Sequence, residues 1–374
     1  KKIIIRFAQN IILKHVNHAR YTKKCLLVYI TKPFVTGTKA RHPNYFEAKG
    51  IVKVLDDLRY DVDVVFFCND KFKDFDQYDL IIGLGDCFDN SVLQCKSSTV
   101  RIYYATGANF IDSFSNEVIR WINLYDRKGI VKSSSRFGMP RNPQLAIQSM
   151  KNVDGIITVG GQWCASTYSM WEKKIYQVGV IPFTYYSYKD MDRNISSCKY
   201  NFLWLGGKGL VHKGLDLVLE SFACMPDYNL YIACEYEKGF FECYAKELNM
   251  KNIHYVGFVN TGSRKFYELS NNCAYTISAS CSEATCTSVL TCMHTGLIPV
   301  TNMESDIDHG YQIEDCDTAS IIEVLQKLKN ISDEDVRLKM EESYQFVKNN
   351  YSAEAFCSRF ESALTDILED RRNV

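Results

Sequence analysis

Short runs with the pattern of buried strands alternate with helical patterns along this chain, and the alternation begins twice. Cys25-Leu26-Leu27-Val28-Tyr29-Ile30 is a continuous apolar run of strand length. Ile51, Val54, Leu55 and Leu58 follow at the i, i+3, i+4, i+7 spacing of a helix with one apolar face. Further strands are expected at 62–67, 80–82, 100–104 and 155–159. The rhythm restarts with a strand at 202–205 and a helix carrying Leu215, Val218, Leu219 and Phe222. Strands at 230–233, 253–256, 275–277 and 297–300 complete the second set. Strands interleaved with helices form parallel sheets covered on both faces. Two such sets predict two doubly wound, Rossmann-like α/β domains facing across a cleft. Ligands of open parallel sheets sit at the carboxyl ends of the strands.

The polar stretch 187–199 separates the two sets, which places the domains at 1–185 and 186–350. Beyond about residue 317 the pattern is helical only, and 351–374 forms a last helix with Phe356, Phe360 and Leu364 on one side. With 46% hydrophobic and 24% charged residues the 374-residue chain has the balance of a globular protein, not of a disordered one. No apolar run approaches the ~18 residues of a membrane span.

Lys and Arg together equal Asp and Glu at 44 each, yet they are unevenly spread. From Lys1 to Arg41 the chain carries basic side chains and no acid, the first being Glu47. Ile4, Phe7, Ala8, Ile11 and Ile12 can share one face of a helix there, with Arg6 and Lys14 elsewhere. Residues 1–23 therefore read as a basic amphipathic arm, and residues 1–24 as a surface for an anionic membrane. The rival reading is that 3–12 simply packs on the first domain. Nucleic acid would need more than this arm and is not expected as a partner. The 15 cysteines show no paired metal spacing, and a secretory leader is not expected from the basic start. Reduced thiols and a cytoplasmic location, at the inner face of a membrane if the arm binds lipid, are expected.

Two loops could carry chemistry. Leu205-Gly206-Gly207-Lys208-Gly209-Leu210-Val211-His212-Lys213-Gly214 follows a strand and opens a helix. Glycines admit a phosphate to the backbone and an ammonium supplies charge, though a solvated turn is the plainer alternative. Ser280-Cys281-Ser282-Glu283-Ala284-Thr285-Cys286-Thr287-Ser288 lies between a strand and a helix. There Glu283 either caps the helix or accepts hydrogen bonds from sugar hydroxyls.

Taken together, Gly207-Lys208-x4-Lys213-Gly214, Glu283 about seventy residues later and Gly296-Leu297-Ile298-Pro299-Val300 resemble the retaining glycosyltransferases of family 4, which have the GT-B fold. His42-x-Asn44-x-x-Glu47, Tyr60-Asp61-Val62-Asp63-Val64-Val65 and the tail Tyr351-Ser352-Ala353-Glu354-x-Phe356 extend the resemblance over nearly the whole chain. It implies transfer of a sugar from a nucleotide-diphosphate donor to a glycan or lipid-linked acceptor hydroxyl in surface polysaccharide biosynthesis. Lys213, with Lys208 in the motif's Arg position, would neutralise the departing diphosphate, and Glu283 would grip the donor sugar. No metal and no cofactor beyond the donor are implied. The last helix would cross back to the first domain.

The chain departs from the family pattern twice. The second Glu of the motif Glu-x7-Glu, which holds the ribose, falls on Thr291. Thr285, Thr287 and Ser288 stand where a Gly-rich run is commoner and would supply hydroxyl contacts to the donor. In the first domain a strand ends in Tyr104-Ala105-Thr106-Gly107-Ala108-Asn109 without the family's His, leaving His42, Thr106 and Asn109 as acceptor-side candidates. The Thr291 departure keeps a catalytically silent subunit, binding a partner enzyme or glycan, open as an alternative. An epimerase or hydrolase of the same fold is another.

Overall fold

The computed structural model describes residues 11–35, 42–136 and 138–372. The chain divides into two compact units, each with its own sheet. The first comprises Lys1–Phe110, Met139–Ile181 and Tyr351–Val374; the second comprises Ile111–Gly138 and Pro182–Asn350.

Seven strands build the first unit: β1 (Ile12–Leu13), β2 (Lys23–Tyr29), β3 (Tyr60–Phe66), β4 (Leu80–Gly83), β5 (Val100–Ala105), β6 (Gly155–Thr158) and β7 (Ile175–Gln177). They lie in the order β1-β3-β2-β4-β5-β6-β7. All pairs are parallel except β1, which runs antiparallel to β3 with Ile12 opposite Val65. Cys25, Leu26, Leu27 and Val28 are fully buried because both sheet faces are covered, which is why their pattern is continuous and not alternating. The strands expected from the apolar runs are all present. β1 and β7 were not expected, being too short to show a period.

The basic arm is corrected in part. Residues 1–10 lie outside the described residues. Ile12 is in a strand, not a helix, because it completes the edge of the sheet beside β3.

The last helix, Ala353–Arg372, belongs to the first unit, where it packs on the helix Asn44–Asp57. Gly50 makes that approach possible: a Cβ there would lie 3.1 Å from the Phe356 ring. Phe360 then meets Tyr104 edge-on at 6.3 Å.

The second unit holds β8 (Asn201–Leu205), β9 (Asn229–Ala233), β10 (Ile253–Tyr255), β11 (Tyr275–Ser278), β12 (Ile298–Asn302) and β13 (Tyr311–Ile313). The order is β10-β9-β8-β11-β12-β13, with every pair parallel. Its core is aromatic around Phe202, which stacks on Tyr275 at 4.6 Å and meets Phe222 edge-on at 5.2 Å.

The expected boundary at 185 is corrected in one respect. Residues 111–138 belong to the second unit. They begin with the helix Phe110–Lys128, whose apolar side is turned outward: Ile119 is 54% exposed and Tyr125 60%. Its buried residues include Glu117 and Arg120. Arg120 donates to the Ala279 carbonyl (2.8 Å), Arg127 to Asp216 (2.6 Å) and Lys128 to Glu247 (2.7 Å). Asp216 is fully buried, so these charge-assisted bonds form where water does not compete. These polar contacts, together with Leu124 buried in the core and Trp121 and Val131 packed against it, hold this segment to the second unit. Among the described residues no helix is long and apolar enough to cross a membrane.

Candidate functional site

β8 ends at Leu205 and the next helix starts at Leu215, leaving a glycine-rich loop between them. The loop closes on itself through Lys213 N donating to the Gly209 carbonyl (2.9 Å) and Leu215 N to the Leu210 carbonyl (3.0 Å). Gly214 has φ 72°, and a Cβ there would lie 2.1 Å from the Ala279 carbonyl oxygen. Glycine is what allows the loop to lie against the carboxyl end of β11.

That contact carries Lys213 to the loop after β11, where its ammonium forms an ion pair with Glu283. The two expected catalytic residues are therefore partners, each side chain 14% exposed. Glu283 also accepts a hydrogen bond from Ser280 Oγ (3.0 Å). It does not cap the helix Thr287–His294, which starts four residues later. Its own amide donates to the Glu304 carbonyl and that of Cys286 to the Ser305 carbonyl, both at 3.0 Å, so neither points to a ligand. Burial alone would raise the Glu283 carboxyl. The charges of Lys213, Arg136 and His212, with the Lys213 hydrogen bond, outweigh it and hold the group at about 2. Glu283 is thus a carboxylate across the working pH range, able to accept hydrogen bonds and not to donate a proton.

The other expected donor-side residues differ in what they present. Gly207 faces open space, with nothing within 4 Å of where a Cβ would sit. Lys208 is 72% exposed and leans toward Glu235 at 3.7 Å. Thr287 and Ser288 are half-buried, and Thr285 is buried. Thr291 is buried, and its hydroxyl donates to the Thr287 carbonyl of its own helix (2.8 Å).

On the first unit, Thr106 is exposed just past β5, and His42 is exposed, its Nδ1 accepting from Asn44 N (3.3 Å) at the start of a helix. Asn109 is 1% exposed, its main-chain amide donating to Thr167 Oγ1 (2.9 Å) and its side-chain amide to the Thr167 carbonyl (3.0 Å). It is engaged in holding its own turn. His15, Asp61 and Asp63 also gather in this unit. Asp63 already accepts from the His15 amide and the Tyr78 hydroxyl, both at 2.8 Å, and His15 Nδ1 faces Asp61 at 2.7 Å.

Four residues that no motif pointed to pack around the two loops carrying Lys213 and Glu283. His212, 3% exposed, places Nδ1 3.1 Å from Glu117 Oε2 and Nε2 2.8 Å from the Ser282 carbonyl. The ring thereby ties the glycine-rich loop to the loop carrying Glu283. Burial raises the Glu117 carboxyl, but hydrogen bonds from His212 and the Arg136 amide hold it below its ordinary range. Glu237 accepts from the Gly209 amide (2.8 Å) and from Ser133 and Ser134. No sequence signal marked Glu117, a charged residue buried on a helix, or Arg136, which lies in the coil beyond that helix. His212 was distinguished only by its place beside Lys213.

No protein-family model matches the sequence, and no curated protein matches it. Solved structures do resemble it. Sucrose-phosphate synthase from Thermosynechococcus elongatus matches with a TM-score of 0.60 at 10% identity, over 93% of this chain and 100% of that one. Alr3699/HepE of Anabaena, solved with UDP and glucose, matches at 0.57 and 10% identity, over 92% and 100%. TarM of S. aureus matches at 0.52 and 12% identity over 77% of this chain, which spans only 54% of TarM's length. At such identities the likeness establishes architecture alone. The chain has the GT-B fold of these proteins, with one seven-stranded and one six-stranded sheet.

Proposed function

We propose that this chain is a retaining glycosyltransferase that moves a sugar from a nucleotide-diphosphate donor to a hydroxyl of a glycan or lipid-linked acceptor. The observation that carries the reading is the Lys213–Glu283 pair beside the open backbone at Gly207. It joins a cation suited to a diphosphate with a permanent carboxylate suited to sugar hydroxyls. The GT-B architecture supports it, since open parallel sheets take ligands at the carboxyl ends of their strands, where both loops lie.

In this reading the glycosidic bond to the diphosphate breaks as negative charge gathers on the leaving phosphate. Lys213, with Lys208 nearby, neutralises that charge from a fixed position, which is usually the largest catalytic contribution. Glu283 accepts hydrogen bonds from donor-sugar hydroxyls. Thr285 on the same loop and Thr287 and Ser288 in the first turn of the following helix serve as hydroxyl partners. On the acceptor side Thr106 and His42 keep exposed positions. The chemistry calls for no group beyond the donor. Surface polysaccharide assembly at the inner face of a membrane is the setting we infer from the family resemblance.

Thermal stabilisation by a panel of UDP, GDP, ADP and CMP with their sugars tests this. Stabilisation by one diphosphate series, weakened in Lys213→Ala and Glu283→Gln, is expected, followed by radiolabelled transfer with retained configuration. Thr291 favours one second reading: its hydroxyl bonds its own helix, so no charged ribose partner stands there. A folded protein indifferent to the whole panel would be a silent subunit.

A further inference from the structure

A strap formed by residues 132–136 lies over the glycine-rich loop within the second unit. Two carboxylates fasten it. Glu237 accepts from Ser133 Oγ (2.6 Å) and Ser134 N (2.8 Å) through one oxygen and from Gly209 N (2.8 Å) through the other. Glu117 accepts from Arg136 N (2.7 Å) through one oxygen and faces His212 with the other. Both carboxylates are 9% exposed or less. Two glycines give the strap room: a Cβ on Gly239 would lie 2.2 Å from the Lys132 carbonyl oxygen, and one on Gly209 would lie 2.6 Å from Arg136 Cγ and Cδ.

The Arg136 stem therefore rests directly on the loop whose next turn carries Lys213. Its guanidinium makes no ion pair among the described residues, and the Glu237 carboxylate beside the strap is held by neutral donors alone. Lys213 is matched by Glu283, and Glu117 faces His212. Lys208, which holds the motif's Arg position, turns out toward Glu235. Arg136 is thus left without an ion-pair partner on this loop, and it is the side chain whose planar fork fits two phosphate oxygens at once.

Resting on the transferase reading above, we propose that Arg136 binds the terminal phosphate of the nucleoside-diphosphate leaving group, doing from the strap what the motif Arg would do from the loop. Its charge is also one of those that hold Glu283 ionised.

The test compares nucleoside diphosphate with the monophosphate of the same base by titration calorimetry, using the full chain and whichever base the panel identifies. Arg136→Gln keeps the main-chain bond to Glu117, so the strap stays fastened. It should weaken the diphosphate about ten-fold or more and the monophosphate by less than about three-fold, with Arg136→Lys recovering part of the loss. Lys208→Gln should cost less than Arg136→Gln. Diphosphate binding within two-fold of wild type in Arg136→Gln overturns the proposal, as does an equal loss for both nucleotides with a lowered melting temperature. A larger loss in Lys208→Gln also overturns it, returning the role to the motif position. Failure of the wild type to bind any nucleoside diphosphate would instead overturn the transferase reading itself.

Discussion

Lys213 and Glu283 stand seventy positions apart and form one ion pair, each with a side chain only 14% exposed. Neither loop brings its charge alone. The ammonium is delivered by a turn that glycine lets lie on β11, and the carboxylate by the loop that leaves β11.

Removing one partner leaves the other largely out of water. Lys213→Ala should therefore destabilise the fold by about 1–3 kcal/mol as well as weaken donor binding, because an uncompensated charge costs more than the pair contributes. Lys213→Ala/Glu283→Gln should recover most of that stability and none of the transfer. Urea melts and radiolabelled transfer on the two single variants and the double separate these effects. A double variant no more stable than Lys213→Ala would mean the pair is not coupled.

The loop glycines should divide into two kinds. Gly214→Ala puts a Cβ against the Ala279 carbonyl oxygen at a left-handed φ, and should cost about 3 kcal/mol or more. Gly207→Ala meets nothing within 4 Å, so its melting temperature should hold while nucleotide affinity falls. Differential scanning calorimetry with and without nucleotide reads both.

His212 bonds Glu117 with one ring nitrogen and the Ser282 carbonyl with the other. His212→Phe keeps an aromatic ring but leaves Glu117, fully buried, with only the Arg136 amide and the Trp121 indole as donors. A loss of about 3–5 kcal/mol is expected, the range for a buried charge stripped of its partner. Glu117→Gln in the same background should restore part of it. No recovery in the double variant would show that the two side chains act independently.

Glu47 gives the first unit a pH dependence. It is 4% exposed and accepts from the Tyr29 hydroxyl (3.1 Å) and the Tyr104 hydroxyl (3.2 Å). Burial outweighs those two bonds and pushes the carboxyl from 4.5 up to about 7. The folded state thus holds the proton more tightly than the unfolded chain. The resulting stability is complete below pH 4.5 and is lost as pH rises through 7, by up to about 3 kcal/mol. Glu47→Gln should remove that slope and be the more stable protein at pH 8. Chemical denaturation at pH 5.5 and 8 decides it; parallel pH profiles for the two proteins would rule the assignment out.

Most of this architecture was legible because parallel strands are buried on both faces. Cys25–Tyr29, Leu80–Gly83 and Phe202–Leu205 are apolar without a break, and no neighbour is needed to recognise them. The glycine-rich loop and Glu283 were visible as residue types whose chemistry is local. The segment 111–138 was not, for a definite reason. Hydrophobic periodicity locates a helix by the face it buries, and this helix buries Glu117 and Arg120 beside Leu124 while exposing Ile119 and Tyr125. The sequence by itself determined two doubly wound units and the two loops that carry Lys213 and Glu283, because burial and turn chemistry are written in consecutive residues. Only the tertiary structure decided that Lys213 would meet Glu283, that Glu117 would face His212, and that Arg136 would lie on Gly209. Such pairings depend on charges that find one another across seventy or more positions, and no spacing along the chain encodes them.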